Sequence, residues 1–420
     1  VDVARAAIAS AVEAGDAGSA PARAHLGAAL EQRRLLQPVI NATGVLLHTN
    51  MGRAPLAVQS PAGYTNLELD LARGQRGDRS AHAARFLART GGAEAALIVN
   101  NGAAAIFLVL ATLAAGRQVI VSRGELVEIG GGFRIPDVLE SSGARLVEVG
   151  TTNRTRLSDY HRALGEHSAL VLKVHPSNYR ITGFVASVGV AELVELAGQA
   201  GHEVRAGRGP APEEADGGRG EIPVVVDLGS GLLDANCPWL EHGPPSWLAD
   251  EPAVRQTLAA GASIVTFSCD KLLGGPQAGV IAGRADLVDR CRRHPLARAL
   301  RPGGLVLESL QAVALAYLRG DARKTVPLWQ LATTPLDDLR RRAQAIGTGQ
   351  VVACESVMGG GALPGRTIPS IGIALPGDLT EHLRAATPPV LARVVDGQTV
   401  CDLRTVFPDQ DPVLAKALAV

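Results

Sequence analysis

Between about residue 90 and residue 267 the sequence alternates short, continuously apolar runs with longer helical stretches. The apolar runs fall at 96–100, 118–122, 145–149, 169–175, 222–228 and 263–267. The stretch at 102–115 has helical character and stops at Gly116, a residue suited to ending a helix; another helical stretch spans 190–200. Runs without an apolar/polar alternation are buried on both faces, and strands separated by helices pair in parallel. The pattern therefore predicts an α/β fold around a mostly parallel sheet flanked by helices. With 420 residues, 46% of them hydrophobic, the chain is long enough to bury a large core.

The flanks read differently. Residues 1–37 are rich in Ala, Glu and Arg with helical spacing and run into Pro38, which predicts an N-terminal helical segment. Residues 38–60 read as an extended linker, 61–301 as the large domain, and 302–420 as a smaller C-terminal α/β domain. That last domain should begin with a helix over 304–319 and end in a hairpin turning at Asp396-Gly397. Residues 201–220 nearly lack large apolar side chains and predict a solvated, mobile loop. Lys plus Arg equals Asp plus Glu at 41 each, so no overall charge draws the chain to nucleic acid or membrane. Five scattered cysteines without a C-x-x-C pair support neither a disulfide framework nor a metal site, and fit a reducing cytoplasm. The longest mostly apolar run, 103–115, is too short to span a bilayer.

One segment concentrates chemistry. In IVTFSCDKLLGGPQAG, 264–279, an apolar strand ends at Ser268, Lys271 follows, and glycines come at 274, 275 and 279. A lysine at the carboxyl edge of a parallel sheet lies where α/β folds bind ligands, and only an amine forms an imine with an aldehyde cofactor. Glycines beside it let a ring approach the backbone. A surface lysine in a turn is the plain alternative. In VVVDLGSG, 224–231, Asp227 ends a strand where a carboxylate can keep a pyridine nitrogen protonated, or can simply cap a turn. Asn101, Gly102 and Ala103 start the helix after the first core strand. They offer backbone N–H groups and a positive dipole end to a phosphate, to which Ser268 could add its hydroxyl; an ordinary N-cap is the alternative.

With these residues in hand, the sequence resembles the bacterial selenocysteine synthase family, the L-seryl-tRNA(Sec) selenium transferases. The likeness is carried by INATGVLLHTNMGRAPL (40–56), GELVEIGG to FRIPDV (124–138), EVGTTNRT (148–155), KVHPSNYRITGF (173–184), VVVDLGSG and FSCDKLLGGPQAG. GGGALPG (359–365) and RVVDGQTVCDLRTV (393–406) extend it to the C-terminal part. The resemblance implies a fold-type-I pyridoxal 5′-phosphate (PLP) enzyme of the aspartate aminotransferase class. It implies conversion of seryl-tRNA(Sec) to selenocysteinyl-tRNA(Sec) with selenophosphate, through a PLP-bound aminoacrylate. Lys271 would be the Schiff-base lysine and Asp270 an acid/base group. Arg298 and Arg301 would hold the selenium donor. Three residues apart, they would share one helix face and grip a phosphate-like anion, unless that face is merely solvated. Arg76 and Arg79 are further candidates. A cytoplasmic homo-oligomer of dimers, in a decameric ring, is also implied.

Four features depart from the family pattern: Cys269 in place of a glycine, Gly102 in place of a third asparagine, the insertion-like 201–220, and only about 39 residues before INATG, so that 1–37 is expected to be a shortened form of the family's N-terminal tRNA-binding domain. The charges of residues 1–37 cancel, with Arg5, Arg23, Arg33 and Arg34 against Asp2, Glu13, Asp16 and Glu31. A neutral segment releases few counterions from RNA, so weak binding of tRNA(Sec) by this chain is expected. The run Arg340–Arg342 is the densest basic stretch, and otherwise a solvated helix face. Two other readings share parts of the pattern: a related PLP lyase acting on a small amino acid or amino sugar, and a non-catalytic tRNA-binding or assembly subunit.

Overall fold

Each apolar run becomes a strand within two residues of its expected bounds. In the computed structural model these strands are Ala95–Val99 (β1), Gln118–Ser122 (β2), Arg145–Val149 (β3), Ser168–Val174 (β4), Val224–Gly229 (β5) and Ile264–Ser268 (β6). A seventh, Gly279–Gly283 (β7), was not expected. The order is β1-β7-β6-β5-β4-β2-β3. Only β7 runs against its neighbours, pairing antiparallel with both β6 and β1. The structure describes residues 2–14, 21–22, 35–57, 63–129, 132–208 and 221–419.

The helix Gly102–Leu113 (α1) is apolar all round because it is buried. Ile106, Leu108, Val109 and Leu110 have no exposed surface and pack with Val119, Val121, Leu170 and Leu172 of the sheet. Asn101 caps it, its Oδ1 accepting from the Ala104 amide at 2.8 Å. The helix Val190–Arg208 (α2) runs eight residues beyond its expected end. The segment HEVRA contains good helix formers, and one glycine at 201 does not stop it. The expected loop is thus helical over 201–208, and its remainder, 209–220, lies outside the described residues.

The chain divides into two compact units. The larger comprises Val45–Pro335 and Glu355–Pro369, the smaller Val1–Gly44, Leu336–Cys354 and Ser370–Val420. The helix Gly304–Arg319 (α3) has its expected bounds but belongs to the larger unit, although a boundary was expected at 302. Its Tyr317 hydroxyl donates to the Leu273 carbonyl at 2.8 Å and accepts from Trp329 Nε1 at 2.6 Å, so α3 and the helix Pro327–Ala332 are tied to the loop after β6.

Within the smaller unit, the strands Arg393–Val395 and Gln398–Asp402 form the expected hairpin. Asp396 and Gly397 both have positive φ (50° and 74°), as a type I′ turn requires. Arg393 pairs with the fully buried Asp402 at 3.1 Å. A Cβ on Gly44 would come 2.3 Å from that carboxylate, so the glycine of INATG is a packing necessity. Arg340, Arg341 and Arg342 pair with Asp337, Asp338 and Asp411 respectively, so the basic run is neutralised by its own neighbours. The helix Asp2–Glu13 carries Arg5; Arg23, Arg33 and Arg34 lie outside the described residues. No helix among the described residues is long and apolar enough to cross a membrane.

Candidate active site

The larger unit gathers the predicted residues at the carboxyl ends of β1, β5 and β6. Lys271, three residues past β6, is only 4% exposed. Its Nζ donates to the Gly229 carbonyl at 3.2 Å. Burial lowers its pKa, and Arg53 adds to this; Asp270, Asp227 and Glu251 oppose it. Space is left around the amine: a Cβ on Gly361 would fall 2.7 Å from Lys271 Cε, so glycine is required there.

Asp227 lies beside Thr266 in the parallel β5–β6 register, and the Thr266 hydroxyl donates to Asp227 Oδ1 at 2.8 Å. Burial raises the carboxyl's pKa, while Thr266, Lys271 and the Gly229 backbone pull it down. A buried carboxylate so held needs a cationic partner, and a protonated ring nitrogen is one. Ser268 and Gly102 approach closely, since a Cβ on Gly102 would lie 2.4 Å from Ser268 Oγ. The start of α1, with the unbonded first amides of a helix, therefore faces a hydroxyl. Gly279 completes this corner: a Cβ there would meet the Asn101 carbonyl at 2.0 Å. Ser177 Oγ and His175 Nδ1 are buried without hydrogen-bond partners among the described residues. The His175 amide donates to the Asp227 carbonyl at 2.9 Å, which fixes this residue next to β5. A buried amine, a buried carboxylate, a helix N-terminus with a hydroxyl, and orphaned polar atoms fit an aldehyde-bearing pyridine phosphate.

Asp270 is buried and paired with Arg53 at 2.9 Å, and its carbonyl accepts from the Ala54 amide. Arg53, in the segment after INATG, was not predicted as a site residue. Another lysine at a strand end, Lys173, is committed to Glu125 at 2.7 Å. Cys269 is fully buried, and burial pushes its thiol well above the usual range, so it acts as a small packed side chain.

The arginine candidates are only partly assembled. Arg76 and Arg79 bind the two oxygens of Glu68 at 2.7 and 2.8 Å, and Arg301 lies 3.6 Å from the same carboxylate. Hydrogen bonds from Arg79 and Arg76 hold Glu68 below the usual carboxylate range. Arg298 is exposed on the short helix Pro295–Ala299 and is not one of the three. The expected shared helix face for Arg298 and Arg301 is not formed. The helix ends before Leu300, because Pro302 disfavours helical backbone at Arg301.

A cavity of about 400 Å³ opens beside this site, with Lys173, His175, Tyr179, Glu251 and Arg366 in its wall. Glu251 is 7% exposed, and burial raises its pKa.

The sequence profile of the L-seryl-tRNA selenium transferases matches residues 39–210 and 214–407. The chain belongs to this family. An L-seryl-tRNA(Sec) selenium transferase of Moorella thermoacetica is 46% identical over 412 residues, covering 92% of this chain and 82% of that protein. One from Carboxydothermus hydrogenoformans is 42% identical over 396 residues, covering 89% and 79%. Among solved structures, a D-glucosaminate-6-phosphate ammonia-lyase superposes with a TM-score of 0.61 at 20% identity, over 93% of this chain and 96% of that one. That likeness is one of fold, and the architecture is the expected fold-type-I arrangement.

Proposed function

We propose that this chain is an enzyme that converts L-seryl-tRNA(Sec) to L-selenocysteinyl-tRNA(Sec), with selenophosphate as donor and PLP held on Lys271. The observation that carries this is the buried Lys271, set between Asp227 and the start of α1 in a chain of this family. Asp227, braced by Thr266, would hold the ring nitrogen; Ser268 and the Asn101–Gly102–Ala103 helix start would hold the phosphate. Bound PLP supplies the electron sink that makes the seryl α-proton removable and lets the β-oxygen depart.

The protein's own groups do the rest. Lys271, whose pKa burial lowers, is the amine assigned to take the α-proton. Asp270, aligned by Arg53, places a carboxylate beside that amine and is the second acid/base candidate. Arg76, Arg79 and Arg301 offer cations to a phosphate-type donor that exchanges with the Glu68 carboxylate, and the exposed Arg298 adds a fourth at the adjoining helix. A cytoplasmic homo-oligomer of dimers, arranged as a decameric ring, completes the reading.

The test is turnover of seryl-tRNA(Sec) with selenophosphate by the purified protein. Wild type should form selenocysteinyl-tRNA(Sec) and absorb in the visible through its lysine-bound cofactor; Lys271→Ala should lose both. Persistence of the lysine-type absorbance in Lys271→Ala would overturn the assignment.

A further inference from the structure

Three carboxyl groups lie close enough for their charge to act on Lys271, and they are not equivalent. Asp227 is bonded by Thr266, and Asp270 is paired with Arg53. Both are tied up as charge acceptors. Glu251 has no cationic partner of that kind among the described residues. It is 7% exposed, it forms part of the wall of the 400 Å³ cavity, and its Oε1 is buried without a hydrogen-bond partner among the described residues. Its backbone is fixed, since the amide donates to the Leu248 carbonyl at 3.1 Å, closing the turn Ser246–Leu248. Burial raises its pKa, against the opposing influence of Ser230, the Leu363 backbone and Lys271. A buried acid in the cavity wall, with one carboxyl oxygen left unbonded and its charge acting on the Lys271 amine, is suited to donate a proton rather than to accept one.

We propose that Glu251 is the acid that protonates the departing β-hydroxyl of the seryl substrate. This rests on the reaction proposed above and adds a catalytic residue to it. In the step, the Lys271 amine takes the Cα proton, and the Cα–H electron pair becomes the Cα=Cβ double bond. The Cβ–O bond breaks with its pair on oxygen, and the Glu251 proton completes a water molecule. Lys271 ends as ammonium and Glu251 as carboxylate, so charge is conserved, and both are reset when the Lys271 ammonium gives up its proton to solvent and Glu251 takes one from solvent.

The test uses two substrates on PLP-loaded protein: seryl-tRNA(Sec), and tRNA(Sec) charged with β-chloroalanine, whose chloride leaves without a proton. Formation of wild-type product from seryl-tRNA(Sec) is the control for the reaction itself; its failure would reject the parent reading whatever Glu251 does. In Glu251→Gln, elimination from the seryl substrate should fall by about 10²-fold or more, the usual scale for a general acid. Elimination from the chloroalanyl substrate and exchange of the seryl α-proton with deuterated solvent should stay within about threefold of wild type on the same scale. Equal losses on both substrates, or no loss on either, would overturn the proposal. If Glu251→Gln does not fold with a normal visible spectrum, Glu251→Asp serves: it keeps a shortened acid and must slow the seryl substrate alone.

Discussion

Replacing His175 by glutamine tests how dry the floor of the site is. His175 follows β4, its Nδ1 is buried without a partner, and burial, helped by the nearby Lys173 charge, lowers its pKa from 6.5 to about 4. The folded pKa lies below the unfolded one, so the unfolded chain binds the proton more readily between these values. Stability is then fully present above about pH 6.5, falls as the pH drops, and stops falling below about pH 4. A difference of about 2.5 units at 1.36 kcal/mol per unit gives a total of about 3 kcal/mol. Between pH 7 and pH 5 the same linkage gives about 2 kcal/mol. The assay is urea unfolding of wild type and His175→Gln at pH 7 and pH 5, with saturating PLP and equal protein concentration. Carboxylates and the other histidines titrate alike in both proteins, so the double difference isolates His175. Wild type should lose about 2 kcal/mol more than the variant on acidification. Equal losses would show that His175 is hydrated and protonates normally, and would remove it from the dry wall of the cavity.

Other expectations follow from the same geometry. Asp227→Asn should still bind PLP but exchange the seryl α-proton on the order of 10²-fold more slowly, because the ring nitrogen loses its charge partner; exchange at the wild-type rate would refute that role. Gly279→Ala forces a methyl to 2.0 Å from the Asn101 carbonyl, whereas Gly360→Ala meets nothing closer than Thr49 Cγ2 at 3.5 Å. The first should cost about 1–3 kcal/mol and weaken PLP binding, while the second should be nearly neutral, as thermal melts and PLP titrations can establish. Light scattering with PLP present should report an oligomer built from dimers, and a monomer would count against the assembly proposed.

The sheet was legible because strands buried on both faces are mostly apolar, as five of the six runs are; the edge strand β3 is half-exposed and was marked by its place between helices. The seventh strand was hidden: Gly279 and Gly283 bracket only three apolar residues. Its glycines read as loop, although Gly279 is there to admit the Asn101 carbonyl. Lys271 and Asp227 could be read because one closely follows a strand and the other lies near a strand's carboxyl end, so local pattern fixes their edge of the sheet. Arg53 could not be read that way, because its partner Asp270 is 217 residues away and only the folded chain brings them together. Glu251 sits between Asp250 and Pro252 in a stretch with no periodicity, and its burial is purely a tertiary fact. The arginines show the opposite failure. Resemblance and spacing grouped Arg298 with Arg301, while the convergence of Arg76, Arg79 and Arg301 depends on Glu68, which no local pattern singled out.

The antiparallel β7 has a mechanical consequence. Because it returns directly beside β6, the loop carrying Lys271 is clamped at both ends by ladder hydrogen bonds between central strands. The loop is also pinned along its length: Cys269 and Leu272 donate to the carbonyls of Ala278 and Ser230, and the carbonyls of Leu272 and Leu273 both face the Tyr317 hydroxyl. Backbone hinging is therefore closed to this segment. The lysine must exchange places with an incoming amine by rotating its four-carbon stem alone, like a latch on a fixed post, and a bulky substrate must be admitted by other parts of the protein.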